Sequence, residues 1–170
     1  MNTDLDDFDV DMNRIIVRPL YFGLFTNILI PMALLLVCYY LNNRGGVGNS
    51  IGDFANTLFY IIGAVAVVQS VFALWWRMKR FSQPMIRRRE TFEQDLLTGV
   101  LAISRPIFVV IAAISVYAVI YFFLTGRFRE TVFLVFFSFI VFQVVRPRHG
   151  QLKGLIARQK TLIEQGQFLS

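Results

Sequence analysis

The chain has very few of the side chains with which most enzymes work. Among its 170 residues there is one cysteine, Cys38, and one histidine, His149. A lone cysteine excludes an intramolecular disulfide, and one cysteine with one histidine cannot build a conventional zinc site. The sequence also has no HExxH or GxSxG motif and no paired carboxylates within one apolar run. We therefore expect no enzyme, and no catalytic, cofactor-binding or metal-binding residue.

Charge is scarce as well. Charged residues make up 16% of the chain, whereas 56% is hydrophobic and 15% aromatic. The apolar residues form long blocks, which is typical of segments surrounded by lipid. The net charge is +6, and the basic residues adjoin the apolar blocks. At those positions they would meet anionic lipid headgroups, so we expect a bilayer rather than nucleic acid as the partner.

Four apolar blocks are long enough for transmembrane helices, each of which needs about 20 mostly apolar residues. The predicted spans are residues 20–41, 54–76, 99–124 and 128–145. The fourth is the shortest and includes Phe128–Glu130 from the membrane interface. Each span must be helical, because an isolated strand would leave its backbone groups unpaired in lipid. The predicted fold class is an all-α integral membrane protein with four transmembrane helices.

The basic residues predict the orientation. Thirteen Lys and Arg lie in the N-terminal segment, the second loop and the tail, whereas three, Arg44, Arg127 and Arg129, lie at the opposite ends of the spans. By the positive-inside rule both ends are cytoplasmic, N-in and C-in. Residues 1–19 then form an acidic cytoplasmic segment, residues 20–145 the membrane domain with a basic cytoplasmic loop at 77–95, and residues 146–170 a basic tail. The expected location is multi-pass in the cell (inner) membrane.

The tail is predicted to form a C-terminal amphipathic helix. Its apolar residues share one helical face and are Leu152, Leu155, Ile156, Leu162 and Ile163. Lys153, Arg158 and Lys160 lie around that face. Such a helix can lie on the cytoplasmic leaflet, and the alternative is docking to a partner.

Ionisable residues inside a membrane are functional candidates, and here they are nearly absent. No Asp, Glu, Lys or His lies inside the uncharged runs of the four spans, the last of which is Thr131–Val145, and Arg105 adjoins the third run, Pro106–Leu124. This argues against an ion-coupled carrier. Asn27 and Gln69 each lie about 10 Å from the cytoplasmic end of their span, at 1.5 Å per residue. With Arg105 and Gln143 they predict a polar cluster, which either makes interhelical hydrogen bonds or lines a pathway.

Small residues predict where the helices pack, because they let two backbones approach closely. The seam on spans two and three consists of Gly63, Ala66, Ser70, Ala73, Ala112, Ser115 and Ala118. Span four instead carries five phenylalanines between residues 133 and 142. We expect spans two and three to pack tightly, with span four facing lipid or a partner. Pro31 should kink span one.

The second loop predicts contacts with anionic lipid. Its basic residues are Arg77, Lys79, Arg80, Arg87, Arg88 and Arg89. The same residues also set the topology, so both interpretations stand.

Spans two and three resemble the hairpin of the rotary ATP synthase proteolipid, subunit c. That family has a cytoplasmic Arg-Gln-Pro loop, where this chain reads Ser82-Gln83-Pro84. The stretch Ala113–Ile120 resembles the one that follows the family's ion-binding carboxylate, but Ala112 stands at the carboxylate position. The loop is about ten residues longer, and two extra spans flank the hairpin. The resemblance implies a descendant that kept the packing and lost ion translocation.

These observations favour a non-catalytic subunit or accessory protein of a membrane complex, in a homo- or hetero-oligomer. Two alternatives remain open. One is a small oligomeric transporter or channel with a polar pathway in the cytoplasmic leaflet. The other is a regulatory membrane protein that binds anionic lipid.

Overall fold

A computed structural model describes residues 12–45, 48 and 51–168, and this part of the chain is helical without any strand. The acidic residues 1–11 lie outside the described residues. The helices are α1 (Met12–Leu24), α2 (Ile30–Asn43), α3 (Phe54–Phe81), α4 (Phe92–Thr125), α5 (Phe128–Val145) and α6 (His149–Glu164). A π-helical turn, Phe25–Leu29, makes α1 and α2 one continuous rod.

Four helical segments of the described chain are long and apolar enough to cross a membrane, in agreement with the predicted number. They are Ile15–Asn43, Phe54–Phe81, Phe92–Thr125 and Phe128–Val145. The third extends well beyond its predicted start at residue 99. At 1.5 Å per residue its 34 residues span about 51 Å, compared with a hydrocarbon core of about 30 Å. One end of α4 therefore projects out of the apolar layer.

The centre of the fold is the hairpin of α4 and α5, which we call the central hairpin. Gly126 ends α4 in a left-handed conformation (φ 67°) and lets α5 begin two residues later. The Ser115 and Ser138 hydroxyls form a 2.8 Å hydrogen bond between the helices. The Phe108 and Phe142 rings meet edge to face, with 5.4 Å between centroids. Packing of aromatic rings and a hydrogen bond thus both hold the two helices of the hairpin together.

The α1–α2 rod and α3 pack against this hairpin, and we call them the flanking helices. In the most apolar 18-residue stretch of each span, 17% of residues are buried in spans one and two, compared with 44% and 39% in spans three and four. The expected exposure of span four is therefore wrong, because Phe142 points into the hairpin. Phe133 and Phe136, on the other face of α5, remain exposed.

The π turn ends two residues before Pro31. Proline lacks an N–H, and its ring would clash with the carbonyl four residues earlier. In the π turn the Ile30 N–H bonds to the Phe25 carbonyl, five residues back, which relieves this conflict. Just before the turn, Gly23 packs so closely that an added Cβ would lie 2.6 Å from the Phe142 ring. Glycine at this position lets the rod approach the central hairpin.

The start of α1, the α3–α4 loop and α6 meet at one end of the molecule, which we call the basic end. Their buried apolar residues form one cluster with the projecting part of α4. Its members are Ile15, Met85, Ile86, Phe92, Leu96, Val100, Leu152, Leu155, Ile156 and Ile163. The apolar face of α6 is thus covered by the protein itself, and it is not free to lie on a leaflet. The start of α1, the α3–α4 loop and the projecting turns of α4 together cover the apolar face of α6.

Candidate functional site

Asn27 and Gln69, the first two members of the predicted polar cluster, do not bond to each other. Asn27 is fully buried, and its Nδ2 donates to the Gly23 carbonyl at 3.3 Å and to Thr26 Oγ1 at 2.9 Å. Asn27 Oδ1 has no partner within the described residues. Gln69 Nε2 donates instead to the Val110 carbonyl on α4. Gln69 therefore fastens a flanking helix to the central hairpin.

The other two members of the predicted polar cluster point elsewhere. Arg105 is exposed on α4, with its guanidinium carbon 5.9 Å from the centroid of the Phe22 ring. Gln143 is exposed near the end of α5, and its backbone carbonyl accepts a hydrogen bond from Arg148. Asn27, Gln69, Arg105 and Gln143 thus occupy separate environments, because their helices present them on different faces.

The small-residue seam is divided between two partners. Ala66, Ser70 and Ala73 are buried on α3. Ser115 and Ala118 are buried towards α5, where Ser115 bonds to Ser138 and Ala118 packs with Leu134 and Val135. Ala112 is half-buried between these surfaces. The seam therefore serves the central hairpin as well as the contact of spans two and three.

Gly63 departs from the predicted seam. It is half-buried, and no atom lies within 4 Å of the place where its Cβ would be. The reason is angular, since Gly63 lies at the edge of the face that α3 turns towards the hairpin. This leaves a small residue with open space above it on the surface of a flanking helix.

The basic residues of the second loop also divide into two groups. Lys79, Arg80, Arg87 and Arg88 are exposed, whereas Arg77 is only 8% exposed. The Arg89 side chain lies outside the described part. Arg77 has a different environment from the exposed basic residues of the loop, because α6 covers its side chain.

Gln159 on α6 is a structural residue that the sequence analysis missed. Its side chain is fully buried, its Oε1 accepts from the Met85 N–H at 3.0 Å, and its Nε2 donates to the Gln83 carbonyl at 2.9 Å. One amide thereby satisfies two backbone groups of the α3–α4 loop, one on either side of Pro84. Only its position on the apolar face of the tail helix could have indicated burial.

Within the described ranges, no group of three or more His, Cys, Asp or Glu side chains could hold a metal ion. What the geometry offers is a packed membrane hairpin, two flanks and a basic end with a docked tail. The chain matches no family model, no curated protein and no solved structure.

Proposed function

We propose that this protein is a non-catalytic subunit or accessory protein of a membrane complex, joined to its partners through a flanking helix. Its N- and C-terminal segments and the α3–α4 loop face the cytoplasm in this proposal, as the thirteen basic residues around them favour. The inner membrane is the proposed location. The separate environments of Asn27, Gln69, Arg105 and Gln143 support this function over a polar pathway.

The observation that carries the proposal is the open position at Gly63. Helices in lipid gain nothing from burying apolar surface alone, so they associate where small residues allow close backbone contact. Gly63 has that space, and no part of the described chain fills it. The exposed side chains around it are aliphatic or aromatic and include Tyr60, Val67 and Val71. A helix from a second copy or another subunit fits this surface.

The test is a Gly63→Leu variant of the full chain, extracted from its own membrane in mild detergent. The wild type should migrate as an oligomer or complex on native gels, and Gly63→Leu as a monomer with unchanged helix content. We expect the monomer to tolerate leucine, because no atom lies within 4 Å of the place where the Gly63 Cβ would be. The matched control is Ala33→Leu, which places the same leucine side chain at an exposed position on the α1–α2 rod.

Two results would overturn the proposal. The first is a wild-type protein that is monomeric under every mild extraction condition. The second is an unchanged assembly in Gly63→Leu, which would place any partner on another surface.

A further inference from the structure

A recess of about 460 Å³ lies at the basic end, between the last turns of α3, the end of α5 and one face of α6. Its apolar wall includes Leu74, Met78 and Val144. Its polar wall includes Arg77 and Arg158, which come from α3 and α6. The recess thus combines two guanidinium groups with a surface suited to a hydrocarbon chain.

Arg77 is the unusual member of this recess, because it is a buried cation without a counterion. Its side chain donates to Gln151 Oε1 at 2.5 Å, and its guanidinium carbon lies 5.2 Å from the Phe81 ring centroid. Both partners are neutral. In the part of the chain that the structure describes, no carboxylate lies within ion-pairing distance of Arg77. A charge removed from water normally requires an opposite charge as partner, so the site favours an anion.

The surroundings add positive charge. Arg158 lines the same recess, and the charge of Arg148 also acts on Arg77. A guanidinium offers planar pairs of N–H donors that match two oxygens of a phosphate. The recess therefore favours a phosphate oxyanion over a neutral polar molecule.

The position along α3 identifies the source of that phosphate. Arg77 follows directly after Trp75 and Trp76, and paired tryptophans are typical of the membrane–water interface. Leu74 and Val144 line the side of the recess that is nearer to the apolar segments of α3 and α5. A molecule that fills the recess thus has a phosphate at headgroup level and an acyl chain beside it.

We infer that this recess binds one anionic phospholipid, with its phosphate on Arg77 and Arg158 and one acyl chain along Leu74 and Val144. The bound lipid bridges span two and the tail, because its two basic ligands lie on α3 and α6. This inference does not depend on the partner contact at Gly63. It also assigns the predicted lipid contact to one site of the basic surface, since the exposed Lys79, Arg80, Arg87 and Arg88 take no part.

The two tryptophans allow a direct test, because the chain has no others and both precede Arg77. The full protein is placed in phosphatidylcholine vesicles with a small fraction of brominated phosphatidylglycerol, which quenches nearby tryptophan. Brominated phosphatidylcholine in matched vesicles measures the background. We expect phosphatidylglycerol to quench at about a tenfold lower mole fraction, because its phosphate carries a net negative charge, whereas the choline of phosphatidylcholine neutralises the same group.

Arg158→Gln should remove most of this preference, and Arg77→Gln combined with Arg158→Gln should remove all of it. Arg158 is exposed, so its single substitution leaves the fold intact and guards against misfolding of the double variant. The matched control is Arg88→Gln, which removes one exposed charge outside the recess. It should keep the preference of the wild type.

Three outcomes would overturn the inference. One is equal quenching by both brominated lipids in the wild type. Another is an equal loss of preference in Arg88→Gln and Arg158→Gln, which would mean diffuse attraction to a charged surface. The third is displacement of brominated phosphatidylglycerol by millimolar glycerol phosphate, which would make a free phosphate ester the ligand.

Discussion

Span two and span four differ in burial in the opposite sense to their hydropathy. Span two has a mean hydropathy of 2.1 with 17% of its apolar stretch buried, whereas span four has 1.8 with 39% buried. In water the more apolar helix would be the more buried one. In lipid, hydropathy selects the segments that enter the membrane, and packing and hydrogen bonds select the faces that meet. The central hairpin and the flanks follow from this second rule.

The largest difference in stability is expected between a buried and an exposed phenylalanine on the same helix, α5. Phe142→Ala removes a ring that is fully buried against Phe108, and we expect a loss of about 3–5 kcal/mol, as for large-to-small core changes. Phe136→Ala removes a ring that is 61% exposed and should change stability little. Detergent-titrated unfolding followed by circular dichroism measures both. Equal losses would mean that the two faces of α5 do not differ.

A smaller effect is expected where the α1–α2 rod meets the hairpin. Gly23→Ala places a methyl group 2.6 Å from the Phe142 ring, and overpacking of this kind costs about 1–3 kcal/mol. Gly63→Ala is the matched control, because its methyl group meets open space. Alanine is the better helix former there, so the same unfolding assay should show no loss of stability. A loss of stability in monomeric Gly63→Ala would contradict the open space above Gly63.

The smallest effect should come from the hydrogen bond that fastens α3. Gln69→Leu removes the bond to the Val110 carbonyl, and interhelical bonds in membranes contribute about 1 kcal/mol. Gln143→Leu removes the same amide from an exposed position on α5 and should cost nothing by comparison. Unfolding each variant and the wild type in the same micelles measures the difference between the two losses of stability. If Gln143→Leu proved the more harmful change, the assignment of Gln69 as the fastening residue would fail.

The number of helices able to span a membrane and the approximate position of each could be predicted from the sequence, because transfer into lipid depends on local composition. The run that begins at Phe128 is an example, since α5 begins at that residue. The N-terminal start of α4, at Phe92 and not at residue 99, could not be predicted for the same reason. Residues 92–98 project beyond the apolar layer and include Glu93, Gln94 and Asp95, so they carry no transmembrane signal.

The contacts between helices could not be predicted, because they depend on angular position and on partners distant in sequence. Ser115 was recognised as small, but its bond to Ser138 needs two helices that cross at one level. Arg77 was grouped with the other bases of the loop, and only the docking of α6 separates it from them. Gln159 could be recognised only by its position on the apolar face of the tail helix, since a single amide has no defining spacing.

The bidentate attachment of Gln159 has a consequence for how the basic end opens. The Met85 N–H and the Gln83 carbonyl find their partner on a helix that begins 64 residues later in the chain. If α6 detached, the Met85 N–H and the Gln83 carbonyl would lose their partner at once, so exposure of these two loop groups is coupled to the release of α6. Amide hydrogen exchange at Met85 is accordingly a gauge of how firmly the C-terminal helix is held.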